Sequence, residues 1–310
     1  MKYLLGFLLA LVIVVSAAVG LLLASGTIDT TTLRMALNVM FGLSGPPADS
    51  TTLATRYRVP AGFRVELFAG DVPRARFLRL TAGGDLLVSR PHRGDIVLLR
   101  ADRDGDGRSD GMEQVISGLN RPQGMDIRDG WLYIAEREQV GRLPFDSLNG
   151  RPAGEYLPLI TGLTGDGNHW SKTLRFGPDG MLYLAQGSTC NVCQETDERR
   201  ATMMRFRPDG SGATIVATGL RNSVGFDWAP WDGGLYATDN GRDLMGDDLP
   251  PCELNRIEEG RFCGWPYFNG DNIPDPDMGP DPLAGARQGD GFLKFIDVHT
   301  AGPRLQVHEI

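Results

Sequence analysis

The 310-residue chain carries 39 acidic against 31 basic side chains, a formal net charge of -8, and no continuous basic stretch. That excludes a nucleic-acid partner, because phosphate binding needs a cationic surface that releases counterions. Its 41 glycines and 20 prolines exclude a helical bundle and, lacking a three-residue period, collagen; with 41% hydrophobic residues they indicate a core of short strands joined by many turns.

Lys2 precedes an apolar run from Tyr3 to Ala24, about the ~20 residues that a spanning helix needs. Residues 1–26 therefore read as a signal anchor or signal peptide. Ala17-Ala18 and Ala24-Ser25-Gly26 offer small residues for cleavage, while the length favours an uncleaved anchor. With Lys2 retained inside, the rest crosses the membrane, so the body is expected to be periplasmic or otherwise extracytoplasmic, membrane-anchored or secreted. Residues 27–56, rich in Thr, Ser and Pro with one helical-looking stretch at Leu33–Phe41, read as a linker to a body at 57–310.

In the body one phrase recurs: Gly83-Gly84-Asp85-Leu86-Leu87-Val88, Asp129-Gly130-Trp131-Leu132-Tyr133-Ile134, Asp179-Gly180-Met181-Leu182-Tyr183-Leu184 and Asp232-Gly233-Gly234-Leu235-Tyr236-Ala237. Each is a tight turn followed by a strand apolar enough to be buried. Gly84, Gly130, Gly180 and Gly233 are separated by 46, 50 and 53 residues, and Gly118-Leu119, Gly162-Leu163 and Gly219-Leu220 precede the last three repeats. A period of this size with several strands per unit predicts an all-β propeller rather than a β-sandwich. Four blades fit, and the chain is expected to stop before the ring closes.

Within the first repeat, Asp102, Asp104, Asp106, Arg108 (through its carbonyl), Asp110 and Glu113, with Gly107 at the sixth position, follow the spacing of a calcium loop. Strand-like segments at Asp95–Arg100 and Gln114–Ile116 replace the usual flanking helices, so calcium here would staple a hairpin; an acidic solvated turn is the plainer alternative. Of four cysteines, Cys190 and Cys193 form a CxxC and Cys252 and Cys263 lie close in sequence. An oxidising compartment favours disulfides; three connectivities are possible, proximity favours 190–193 with 252–263, and a zinc site or redox-active CxxC stays open. His169 sits on the loop leading into the third repeat, where a propeller faces its axial channel; Arg221-Asn222 occupy the corresponding place one repeat later.

The strings His169-Trp-Ser171-Lys-Thr-Leu174-Arg-Phe-Gly177-Pro178-Asp179-Gly180, Gly219-Leu220-Arg221-Asn222, Asp239-Asn-Gly241-Arg242, Glu253-Leu-Asn255 and Gly264-Trp265-Pro266 together resemble the soluble quinoprotein glucose dehydrogenase and L-sorbosone dehydrogenase family. The resemblance, from about Val59 to Phe295, implies a six-bladed propeller that uses pyrroloquinoline quinone (PQQ) and calcium to oxidise an aldose or aldehyde at C1, passing electrons to a membrane or periplasmic acceptor. By the same resemblance His169 is the general base, Arg221 and Asn222 hold PQQ, the carbonyls of Gly241 and Arg242 ligate the calcium that polarises it, and Gln123 lines the site. Asn168 stands where the glucose enzyme has aspartate and Thr173 where it has arginine, so sugar preference does not transfer. The later blades that would grip the PQQ carboxylates are not in this sequence, and past Ala301 the pattern dissolves, as a frameshift or gene fragment would produce. Two other functions remain open at this point: a calcium-dependent lactonase and a non-catalytic binding propeller.

Overall fold

The computed structural model describes residues 57–246, 249–270, 272–278 and 292–293, with short pieces at 15–17, 19–21, 23–25 and 51–53. The chain divides into two compact units, Met1–Asp71 and Val72–Ile310. In the first unit, helical turns occupy the described pieces before residue 54. No helix among the described residues is long and apolar enough to cross a membrane. Most of the expected anchor and linker, and the expected break near Ala301, lie outside the described residues.

The second unit is all β. Strands β1 (Phe77–Leu80), β2 (Leu86–Arg90), β3 (Asp95–Leu99) and β4 (Met112–Ser117) form an antiparallel sheet in chain order, the first blade. The second is β5 (Met125–Arg128), β6 (Trp131–Ala135) and β7 (Val140–Asp146), with β8 (Arg151–Pro152) and β9 (Leu157–Ile160) both paired to β7. The third is β10 (Lys172–Phe176), β11 (Leu182–Gln186), β12 (Thr202–Phe206) and β13 (Thr214–Thr218); the fourth is β14 (Gly225–Trp228), β15 (Leu235–Asp239) and β16 (Glu253–Ile257). Past them, β17 (Arg261–Phe262) returns to pair in parallel with β13, β18 (Phe268–Asn269) and β19 (Ile273–Pro274) form a small hairpin, and β20 (Phe292–Leu293) pairs with β16.

The repeated phrase builds the second strand of every blade. Its turn glycines Gly84, Gly130, Gly180 and Gly233 have φ of 84°, 77°, 80° and 67°, a region where a Cβ is strained. The following strands supply Leu87, Leu132, Ile134, Leu182 and Leu184, all without measurable exposure. Their core is a series of apolar layers between successive blades: Leu87, Ile96 and Leu98 meet Met125, Leu132 and Ile134; Tyr133 and Val140 meet Leu174, Leu182 and Leu184; Tyr183 and Met203 meet Phe226, Leu235 and Ala237. Each fully buried Leu or Ile contributes about 1.5–3 kcal/mol.

The Gly-Leu phrase makes the step between blades. Leu119, Leu163 and Leu220 are buried, and each donates its backbone N–H to a carbonyl near the start of the third strand of the blade before: Gly94 (2.9 Å), Glu138 (3.0 Å) and Ala201 (3.0 Å). One polar link spans three blades, with buried Asp126 on β5 pairing Arg79 on β1 (2.5 Å) and accepting the N–H of Phe176 on β10 (2.7 Å).

Candidate active site

The sixth residue after each turn glycine ends a second strand or follows it directly: Arg90, Glu136, Gln186 and Asp239. All four are buried. In the second blade Glu136 accepts the backbone N–H of Asn120 in the loop leading to β5 (2.5 Å), and its other oxygen accepts from Gln139 (2.5 Å) and Tyr156 (2.7 Å). In the fourth, Asp239 accepts the N–H groups of Arg221 (2.8 Å) and Asn222 (2.5 Å) in the loop leading to β14. Burial, reinforced by neighbouring Glu253, pushes Asp239 up to about 8; burial pushes Glu253 up to about 7.

The third blade has Gln186 at this place, with its Nε2 on the Met204 sulfur and its Oε1 buried without a partner. Its leading loop, which carries His169, is held through carbonyls instead. Buried Arg200 donates to the carbonyls of Gly187 (2.6 Å), Thr164 (2.9 Å), Asp166 (3.1 Å), His169 (3.2 Å) and Ser188 (3.0 Å). Lys172, 2% exposed, donates to those of Arg137 (2.5 Å), Thr164 (3.0 Å) and Trp170 (3.3 Å). Burial, with Arg200 nearby, lowers Lys172 to about 7.

These bonds fix His169 beside Ser188, with Nδ1 2.8 Å from Oγ. The Ser188 hydroxyl has one proton, and it goes to the carbonyl of Cys190 at 2.7 Å. Nδ1 therefore carries the proton that Oγ accepts, and the lone pair of the imidazole is on Nε2. Burial, then the charge of Arg221, lowers His169 to about 4, so the ring is neutral at pH 7. A Cβ on Gly187 would lie 2.5 Å from the His169 Cβ and 3.0 Å from the Asn222 Oδ1. His169 and Asn222 thus converge across a space that only glycine leaves open.

Arg221, 3% exposed, reaches the site as charge rather than as a free donor. Its Nε donates to the Asn191 carbonyl (2.9 Å), Nη1 to the carbonyls of Asn240 (3.1 Å) and Gly241 (2.8 Å), and Nη2 to the Asn191 Oδ1 (2.8 Å) and Asp243 (2.8 Å). Gln123 lies one blade away, next to Gly124, whose backbone passes so close to Lys172–Leu174 that a Cβ would meet the Leu174 nitrogen at 2.6 Å. The Gln123 Oε1 is buried with no partner.

Glu113 and Asp106 as calcium ligands and the Cys252–Cys263 pairing are corrected, and the Gly241 carbonyl has a competing partner. The Gly241 carbonyl faces the Arg221 guanidinium, and the Arg242 side chain turns to Asp275 (2.6 Å) and Asp277 (2.7 Å). A calcium ion on the Gly241 carbonyl would share that oxygen with a guanidinium, a repulsive arrangement; the ion pairs of Arg242 involve its side chain and not the carbonyl expected to ligate. In the acidic loop, oxygens of Asp102, Asp104 and Asp110 lie within 4.8 Å of one another. Glu113 is not with them: β4 carries it along the sheet to Arg100 (2.9 and 2.8 Å), whereas a helix would have turned it back over the loop. Asp106 also stays outside the cluster and accepts the N–H of Arg108 (2.7 Å).

The Cys190–Cys193 disulfide is present, but Cys252 and Cys263 are unbridged. Cys252 precedes β16 in the fourth blade, while β17 draws Cys263 to the third, where its N–H bonds Thr218 (2.8 Å) among core residues Ala217 and Leu220. Burial pushes the Cys263 thiol up to about 12. Reading the sequence also missed Lys172, Ser188, Asn191 and Arg200. The polar residue six after each turn glycine was a usable signal for Asp239 and Glu136; Arg200 and Ser188 stand at no repeated spacing.

Residues 57–255 match the TrAA12-like family. An uncharacterized protein of Borreliella burgdorferi is 24% identical over 252 residues, which cover 76% of this chain and 63% of that protein. The holo form of the pyranose dehydrogenase PQQ domain from Coprinopsis cinerea superposes with a TM-score of 0.59 at 21% identity over 68% of this chain and 59% of its own. The PQQ-bound aldose sugar dehydrogenase of Streptomyces coelicolor gives 0.53 at 23% identity over 68% and 69%. The chain thus spans less than two thirds of the first two of these proteins, and the solved structures share its propeller fold. By the match over most of its described body, the chain belongs to the TrAA12-like family.

Proposed function

We propose that the chain oxidises a sugar, an aldose or aldehyde of the glucose or sorbosone kind, at C1 with PQQ as hydride acceptor. The observation that carries this reading is the neutral His169 with its lone pair on Nε2, facing Asn222 across Gly187. Two proteins of the same fold, the holo pyranose dehydrogenase PQQ domain and the PQQ-bound aldose sugar dehydrogenase, support it. The residues present fit a flat, oxygen-rich ligand: the Gln123 Oε1 is an unpartnered acceptor for a hydroxyl or ring N–H, and Gly187 keeps open the gap between His169 and Asn222.

PQQ, when bound, supplies an ortho-quinone able to take up a hydride. The chain's own part is proton transfer and field. His169 Nε2 takes the proton of the C1 hydroxyl as its hydrogen leaves with two electrons. Arg221, fixed by protein acceptors, holds positive charge where negative charge develops, without reorganising. Asn222, with its backbone pinned by Asp239, presents its carboxamide beside the base. No step passes through the carbonyls of Gly241 and Arg242. Calcium belongs in this proposal at Asp102, Asp104 and Asp110, as a staple of the first blade.

The Cys190–Cys193 bridge suits the oxidising, extracytoplasmic setting in which an anchored enzyme delivers electrons to a membrane or periplasmic acceptor. The test is dye-linked oxidation of an aldose panel by the full chain with PQQ and calcium. Turnover in the wild type that falls by about 10³-fold or more in His169→Ala is expected; PQQ binding without any sugar-dependent reduction would overturn the reading.

A further inference from the structure

The segment between β11 and β12, residues 187–201, has no strand or helix of its own, yet it touches both the base and the charge of the site. Its disulfide ring explains how. The Cys190 carbonyl takes the hydroxyl proton of Ser188 (2.7 Å) and so obliges Ser188 to accept from His169. One residue on, Asn191 presents its carbonyl to Arg221 Nε (2.9 Å) and Trp265 Nε1 (3.3 Å), and its Oδ1 to Arg221 Nη2 (2.8 Å) and the Asp243 N–H (2.8 Å). Its Nδ2 donates to the Asp243 carbonyl (3.0 Å). Glu195 ties down the start of the turn through the N–H (2.6 Å) and hydroxyl (2.8 Å) of Thr189.

Aiming these two carbonyls and one carboxamide from an irregular segment requires several backbone torsions to be fixed, each at a cost of about 1–2 kcal/mol. Closing the ring between Cys190 and Cys193 removes about 2 kcal/mol of that freedom from the unfolded chain. We propose that the disulfide-closed turn 190–193 is a positioning element of the site, setting the tautomer of His169 through Ser188 and the placement of Arg221 through Asn191. This rests on the reading of His169 as the base, and neither Ser188 nor Asn191 is given a reacting role.

The experiment is ¹⁵N NMR of the full chain labelled at histidine, with the His169 signals assigned from His169→Ala. The oxidised wild type is expected to show one His169 tautomer, protonated at Nδ1. Ser188→Ala, and wild type whose bridge has been reduced to two thiols by an excess of a small dithiol, are each expected to show a mixture. Asn191→Ala is expected to raise the His169 pKa from about 4 toward its ordinary value as Arg221 drifts, with Arg200 and Asp243 the other charged groups acting on the ring. Retention of a single Nδ1–H tautomer after reduction would overturn the proposal; the reduced wild type keeps this test valid if Ser188→Ala does not fold. These readouts need no cofactor. A tautomer response in a protein that oxidises no sugar would reject the functional reading and leave the positioning role standing. Where turnover is present, Ser188→Ala is expected to lower kcat about tenfold with little change in KM, by analogy with groups that orient a working imidazole.

Discussion

The second and fourth blades hold their leading loops by the amides, the third by the carbonyls. Glu136 and Asp239 stand at the same place in their repeats, and from the loop that precedes its own blade Glu136 receives one backbone N–H and Asp239 two. In the third blade Gln186 offers no carboxylate at that place, and two buried basic side chains, Arg200 and Lys172, gather the loop by its carbonyls. His169 is kept neutral by burial and by the charge of Arg221, to which Arg200 adds in the same direction. An architecturally equivalent repeat thus holds the loop of the base by its carbonyls and two basic side chains, where the fourth blade uses amides and an acid.

The largest blow to this comparison is Arg200→Met. It removes the Arg200 donor from five carbonyls, of which Thr164 keeps Lys172 and Ser188 keeps the His169 N–H, and a loss of about 3–5 kcal/mol in unfolding free energy is expected from urea denaturation; a loss below about 1 kcal/mol would mean that the third loop is held by something else. Next comes Asp239→Ala, which strands two buried amides and should cost about 2–3 kcal/mol, with Glu136→Ala following at a similar or smaller cost. If those two differ widely, the equivalence of the second and fourth blades fails.

The signs of the pH dependence should also be opposite. Asp239 is raised in the folded state, so its contribution to stability is present at low pH and declines as pH rises from about 4 to about 8. His169 is lowered, so its contribution is full above its ordinary 6.5 and is lost as pH falls toward about 4. Denaturation of Asp239→Asn and His169→Gln against pH separates the two slopes. The smallest effect expected is that of Gln186→Glu, which gives the third blade the acid of its neighbours. Because Gln186 pairs with Lys172 across β10 and β11, the new carboxylate should raise the titration of both Lys172 and His169; an unmoved His169 would show that the sign of this position does not matter.

The blade order and the layers between blades were legible because they rest on a period: the turn glycines and the Gly-Leu step recur, and each recurrence reports the same backbone conformation and the same buried leucine. His169, Arg221 and Asn222 were found as neighbours by their places in that period. What failed was decided by partners far apart in sequence. Cys252 and Cys263 look like a pair until β17 leaves for the third blade. Glu113 completes a calcium spacing until a strand, not a helix, carries it to Arg100. The Gly241 carbonyl is an open ligand on paper and the partner of a guanidinium in the fold.

The return of β17 to β13 also orders the birth of the molecule. The outer edge of the third blade, Thr214–Thr218, leaves the ribosome with part of its hydrogen-bonding edge unpaired, and it stays so until Arg261 and Phe262 arrive after the strands of the fourth blade have been made. During that interval the nascent chain exposes an edge of the kind that recruits foreign strands. The third blade therefore gains its last strand only from chain that follows β14–β16 of the fourth.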